Sequence, residues 1–240
     1  MGLTQGWPVT PVGDGYVPIS NWYNHIWPNV PLCPNPKVRE AIIDAARRFF
    51  QETELWTVEL ELLNINSDQS EYIVKSPLGD MVSLDHFEIK SDASGTDTFY
   101  RKTVISEIAI DENPEERDDW RTQTHDDPDA AWVDHTLRMR LTFIPNVDIA
   151  AGLKVWINIM PFDGALSVPK ILWTHYKDTI TSGALADLLM IANKPWTNPD
   201  LGSAHGVGFS GEFLQGRQKK FSGFVRHRTR DIITTKYRDF

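Results

Sequence analysis

The residue types best suited to chemistry in this 240-residue chain gather between positions 125 and 135. His125, Asp126, Asp127, Asp129 and His135 offer imidazole nitrogens and carboxylate oxygens, donors that can hold a divalent ion. A metal-dependent hydrolase using His125, Asp127 and His135 is one expectation they raise. Their spacing fits no calcium loop, because an EF-hand turn needs a glycine at its sixth position and this stretch has none. His175, beside Tyr176 and Asp178, falls in a segment of helical period, where a lone histidine is a packing or surface residue more often than a base. Cys33 stands between Pro31 and Pro34 and reads as a small buried hydrophobe. As the only cysteine, it excludes an intrachain disulfide framework and a cysteine-rich zinc site. No nucleophile elbow, Walker phosphate loop or HExxH helix occurs. The glycine-rich Gly206-Val-Gly-Phe-Ser-Gly continues a helical pattern instead of following a strand, which weakens a phosphate-cradle reading. These signals suggest a chain that is not an enzyme and uses no cofactor.

Nine tryptophans raise a second possibility. Exposed indoles on a β-sandwich stack on sugar rings, so a carbohydrate-binding module of a phage tail is an alternative. Trp22, Trp27, Trp56, Trp156, Trp173 and Trp196 sit among apolar or capping positions, and most of them read as core.

Charge is unevenly spread. The chain carries a formal −9, which argues against nucleic-acid binding through overall charge. From Glu107 to Asp134 there are eleven acidic residues against two arginines, with Pro114 and Pro128, the composition of a long surface loop. The last thirty residues invert the sign to +5 and end in a β-prone, aromatic segment suited to lying along another surface. No apolar run approaches the ~20 residues of a membrane helix. The N-terminus lacks a basic start with an apolar stretch, so a soluble chain made inside the cell is expected.

These features have to be positioned by a framework. Residues 1–35 hold many of the prolines and read as an extended arm with a short helix near Ser20–His25. Asn35-Pro36 then marks a helix start. Val38, Ala41, Ile42, Ala45, Ala46, Phe49 and Phe50 form one helix face ending near Glu52. The period changes to two at Trp56, Val58, Leu60 and Leu62. Further strands are expected at Glu71–Lys75, Met81–Lys90, Thr103–Ile110, Thr136–Ile144 and Leu153–Met160, separated by turn signals that include Ala150-Ala151-Gly152. Helical period returns at Leu172, Tyr176, Ile180, Ala184 and Leu188 and stops at Lys194-Pro195. Asn198-Pro199 opens a last helix whose six glycines imply either close helix approach or a kinked, broken helix. The expected class is α+β. A helical core at 36–55 and 165–228 would carry an inserted antiparallel β-sandwich or barrel at 56–164, with extended arms at 1–35 and 229–240.

Two stretches, taken together, resemble a family. One runs Trp22…Trp27-Pro…Pro31-Leu-Cys33-Pro34…Val38…Ala41…Ala45-Ala46…Phe49…Thr53…Trp56. The other runs Pro169…Leu172…Tyr176…Ile180…Gly183-Ala184-Leu185-Ala186…Leu189…Lys194-Pro195-Trp196…Pro199…Phe209. In order and spacing this is similar to the head-to-tail adaptors of short-tailed bacteriophages, the tail tubular protein A-like connectors. The resemblance covers the helical ends well, the β insert loosely and the first twenty residues not at all. It implies a virion structural protein at the head–tail junction, with no membrane partner. Such proteins form a homo-oligomeric ring of twelve copies below the portal protein, offer a platform to a nozzle, tube or fibre protein, and let genomic DNA pass on ejection. On this resemblance the portal interface would involve Arg226, Arg228, Arg230, Ile232, Ile233, Lys236, Tyr237, Arg238 and Phe240. Glu115, Glu116, Asp118, Asp119, Asp126 and Asp127 would face the lumen, where like charge keeps DNA from sticking. Deleting residues 231–240 is expected to abolish co-sedimentation with the portal ring while leaving the circular dichroism of the body unchanged. Undiminished co-sedimentation would contradict the tail's role.

Overall fold

The apolar stripe that begins at Val38 builds the longest helix of the N-terminal half, α2 (Asn35–Thr53). Every residue of that stripe is buried, and Ile43 joins it. The helix begins one residue earlier than the sequence suggests. Pro34 occupies the capping position, and its carbonyl accepts from the amides of Lys37 at 2.9 Å and Val38 at 3.2 Å. Proline's fixed φ suits that position, so the Asn35 side chain is not used as a cap. At the other end Glu54 turns into the left-handed region (φ 50°) and its amide bonds the Phe50 carbonyl at 2.8 Å.

The structure is a computed structural model and describes residues 15–90, 99–104, 124–125, 130–133, 138–141, 144–145 and 147–221. The class is α+β. The chain divides into two units. Among the described residues, the first comprises 15–56, 77–80 and 159–221, and the second comprises 57–76 and the described parts of 81–158. Residues 56, 77–80 and 159–164, expected in the β insert, group with the helical unit.

In the first unit, β1 (Tyr16–Pro18) pairs antiparallel with β12 (Ser167–Pro169). A run of short helical turns follows β1: a 3₁₀ turn at Ile19–Trp22, α1 (Tyr23–Ile26) and a 3₁₀ turn at Trp27–Asn29. The single helix expected across 172–194 is two helices, α3 (Lys170–His175) and α4 (Lys177–Leu189). The break falls at Tyr176 (φ −133°, ψ 21°), whose buried ring packs 4.6 Å from Phe49. Tyr176 continues the apolar stripe, so periodicity alone does not show the break. The last helix, α5 (Pro199–Phe221), runs unbroken for 23 residues. Here Asn198 does cap: its Oδ1 accepts from the Leu201 amide at 3.2 Å.

Arg47 of α2 fixes two returning strands of chain within this unit. Its Nη1 donates to Asp80 Oδ2 at 2.7 Å and to the Pro161 carbonyl at 2.5 Å. Beside it, a Cβ on Gly79 would fall on the carbonyl oxygen of Met160.

The second unit is a sheet of mixed direction. It contains β2 (Thr57–Glu59), β3 (Leu63–Ile65), β4 (Glu71–Ile73), β5 (Asp80–Lys90, of which Asp80 belongs to the first unit) and β6 (Phe99–Val104). It continues with β7 (Thr124–His125), β8 (Ala130–Val133), β9 (Arg138–Leu141), β10 (Ile144–Pro145) and β11 (Ile149–Met160, of which Ile159 and Met160 belong to the first unit). The strand order is β2-β11-β5-β6-β8-β9-β4, with β3 also on β11. Most pairings are antiparallel, but β6/β8 and the separate β7/β10 pair are parallel, which an all-antiparallel sandwich or barrel does not contain. Ala150-Ala151-Gly152, read as a turn, is an irregularity inside β11: pairing with β3 shifts register between Ile149 and Leu153, and Ala151 has φ 51°. β2 pairs with Trp156–Asn158 of β11 and β3 with Ile149 and Leu153, and the strand expected to run to Leu62 ends at Glu59. A polar ladder crosses three strands: Thr57 Oγ1 donates to Asn158 Oδ1 at 2.8 Å, and Asn158 Nδ2 donates to Ser83 Oγ at 2.9 Å. Next to it His86 stacks flat on Trp156 (4.2 Å, 9°), with Nδ1 2.7 Å from Asp85 Oδ2.

Gly79→Ala is expected to lower unfolding free energy by about 1–3 kcal/mol, because backbone and not a pliable side chain blocks the new methyl. Urea denaturation reads this, and an unchanged midpoint would contradict the packing.

Candidate assembly surface

The helical unit packs α5 against α4 and α2, and glycines set how close it comes. A Cβ on Gly183 of α4 would sit 2.8 Å from the Phe209 ring and 2.9 Å from Ala45. One on Gly216 would sit 2.5 Å from Thr53 Cγ2, and one on Gly202 would sit 3.1 Å from Met190 Cγ. Gly202 and Gly216 allow the close approach anticipated from the glycine density of the last helix, and Gly183 of α4 adds to it. Arg48 joins all three helices: it pairs with Asp187 of α4 and lies 5.3 Å over the Phe209 ring of α5. Arg217 closes the far end, with Nη2 2.7 Å from Glu52 Oε2 and Nε donating to the Glu52 carbonyl at 2.6 Å.

Gly208 and Gly211 differ from these. A Cβ on either would meet nothing within 4 Å. They lie on the outer face of α5, where Val207 is 76% exposed, Leu214 65% and Leu201 39%. From Leu201 through Gln215 the only formally charged residue is Glu212. A solvent-facing helix normally carries charge on its outer face.

A second stretch without charged side chains, bordered by Lys37, lies on the same unit. Residues 15–36 contain no Asp, Glu, Lys or Arg. Trp27 is exposed and its ring lies 5.2 Å from that of Tyr23. Leu32, in the following turn, is 85% exposed and holds φ 67°. The left-handed region costs a leucine roughly 1 kcal/mol, and exposing its side chain forgoes burial as well.

The residues singled out from sequence are placed as follows. Arg226, Arg228, Arg230, Ile232, Ile233, Lys236, Tyr237, Arg238 and Phe240 lie outside the described residues, as do Glu115, Glu116, Asp118, Asp119, Asp126, Asp127, Asp129 and His135. Only the backbone of His125 is described, in β7. Among the described residues no group of three His, Cys, Asp or Glu is arranged to hold a metal. Gly206–Gly211 is helix interior, not a strand-to-helix turn. Cys33 is buried, and burial raises its thiol pKa. His175 is exposed at the end of α3. Trp22, Trp56, Trp156 and Trp196 are buried and cannot stack on a sugar; Trp173 is half-buried, edge-on to Trp22 at 4.8 Å. No described helix is long and apolar enough to cross a membrane. Sequence reasoning missed Arg47, Arg48 and Leu32, whose roles depend on partners far along the chain or on a backbone angle.

Asp44 and Asp187 flank Arg48's turn of α2. Desolvation beside the packed helices raises the pKa of both, Asp44 at the exposed rim and Asp187 half-buried; Glu40 and Asp163 add to this at Asp44, while Arg48 opposes it at both. The folded chain therefore binds more protons than the unfolded chain between the ordinary 3.8 and the raised values, and stability falls as pH climbs through that window. Asp44→Asn is expected to stabilise the protein at pH 7, with the gain vanishing toward about pH 4. Urea denaturation at both pH values checks it; a gain equal at both, or a loss at pH 7, would contradict it. A scan of family models finds no match to this chain, and a search of curated proteins finds none either.

Proposed function

We propose that this chain is a virion structural protein: a head-to-tail adaptor that forms a ring on the portal, receives the next tail component and lines part of the DNA ejection channel. The observation that carries this reading is the division of the chain. Residues 15–56 and 159–221 contribute to one helical unit, while most of the described residues between them form a β unit, as in an adaptor core with an insertion. The residue spacing quoted for the resemblance falls on the helical unit, where Trp22, Val38, Phe49, Leu172, Tyr176, Ile180 and Phe209 are core residues. On this reading the work is mechanical. Neighbouring copies meet head to tail and close by rotation. The acidic stretch at 107–134 supplies a wall that repels DNA, and the basic tail engages the portal.

Negative-stain electron microscopy of the portal ring with and without this protein tests the proposal. Added density with the rotational symmetry of the ring is expected, and raised salt should remove it if the basic tail supplies docking. A portal ring unchanged by excess protein would overturn the adaptor reading.

A further inference from the structure

The two uncharged surfaces of the helical unit invite one explanation. Gly208 and Gly211 each weaken α5 relative to alanine, and nothing within the described chain needs their missing side chains. Leu32 is strained and presented to solvent. One surface has a side chain projecting; the other has a shallow place where backbone is bare between Val207 and Leu214.

We propose that the Leu32 turn of one copy of this chain seats on the outer face of α5 in the next copy, over Gly208 and Gly211. The inference rests on the adaptor reading and names the contact that would join neighbours in the ring. Charge selects the occupant. The basic tail at 222–240 needs acidic partners, and nucleic acid needs basic ones, yet the face between Leu201 and Gln215 offers a single half-buried glutamate. Copies of a chain at −9 repel one another, and contact is least opposed where both sides carry no charge. The 15–36 surface meets that requirement. Because the two surfaces are different, the contact is heterologous and can propagate around a closed ring instead of stopping at a dimer. The α5 face is small: fifteen residues of helix extend roughly 22 Å and present a strip about 10 Å wide. That is well below the ~800 Å² per partner of a standard stable interface, so one pair associates weakly and cross-linking is the suitable readout.

The test uses the full chain in a Cys33→Ala background, with Leu32→Cys and Val207→Cys introduced singly and together. At high protein concentration, and again on the portal ring, a short bismaleimide linker is expected to give a ladder of covalent multimers from the double variant. Each single variant alone should give none, and a mixture of the two single variants should give dimers only. A companion variant, Gly208→Ala with Gly211→Ala, separates contact from folding. Both positions are open, so the thermal midpoint is expected to rise by a few degrees while ladder yield falls about tenfold or more. A raised midpoint with undiminished ladder would overturn the proposal. So would dimers from Val207→Cys alone, which would mean that α5 faces itself across a two-fold axis. Rings formed on the portal without a ladder would sink the contact and leave the adaptor reading standing. Absence of both self-association and portal binding in the unsubstituted protein would sink the adaptor reading itself.

Discussion

The close seating of α5 on α2 and α4 is the constraint on which the helical unit depends. Phe209 sits where a side chain on Gly183 would otherwise be, and Thr53 fills the space that glycine leaves at position 216. Without that approach Phe49, Tyr176, Phe209 and Phe213 could not meet, since their rings lie 4.6–6.3 Å apart around the junction. Arg48 then bridges the same three helices from the rim, where a solvent-screened pair adds specificity more than stability. The stretches brought together, 35–53, 177–189 and 199–221, lie on either side of the β unit in the sequence. Arg47 anchors Asp80 and Pro161, two places where the chain returns to the helices.

The glycines of the last helix divide by direction. Those facing inward are explained by neighbouring atoms, and those facing outward are explained by nothing else in the described chain. The outward pair coincides with exposed aliphatic residues and with a long absence of charge, a combination found at the centre of assembly contacts. An assembly protein of the proposed kind needs such a surface. A chain acting alone gains little from it.

Much of the framework was legible in the sequence because burial imposes a period. The face of α2 and the stripe of α4 follow from the 3.6 repeat, and the Asn198 cap from its residue type. Features set by partners or by a single backbone angle were not legible. Pro34 displaced Asn35 as the cap, Tyr176 broke a helix without breaking its stripe, and Ala151 bent a strand where small residues had suggested a turn. The unbroken course of α5 was hidden for the same reason: a glycine count does not tell which side of a helix each one faces. Of the candidate surface, the sequence flagged the glycines but not Leu32, whose left-handed φ has no signature in residue type. The acidic residues of 107–134 and the basic tail from 222 onward lie outside the described residues.

Native mass spectrometry of the portal ring saturated with the full-length chain tests the central proposal most directly, because it counts copies. In a closed ring every copy makes two neighbour contacts, so partial rings are disfavoured relative to complete ones. The expected spectrum is a bare portal and one discrete heavier species carrying a full, symmetry-matched set of copies. A graded series of masses with one, two, three and more independently bound copies, or the bare portal alone, would contradict it.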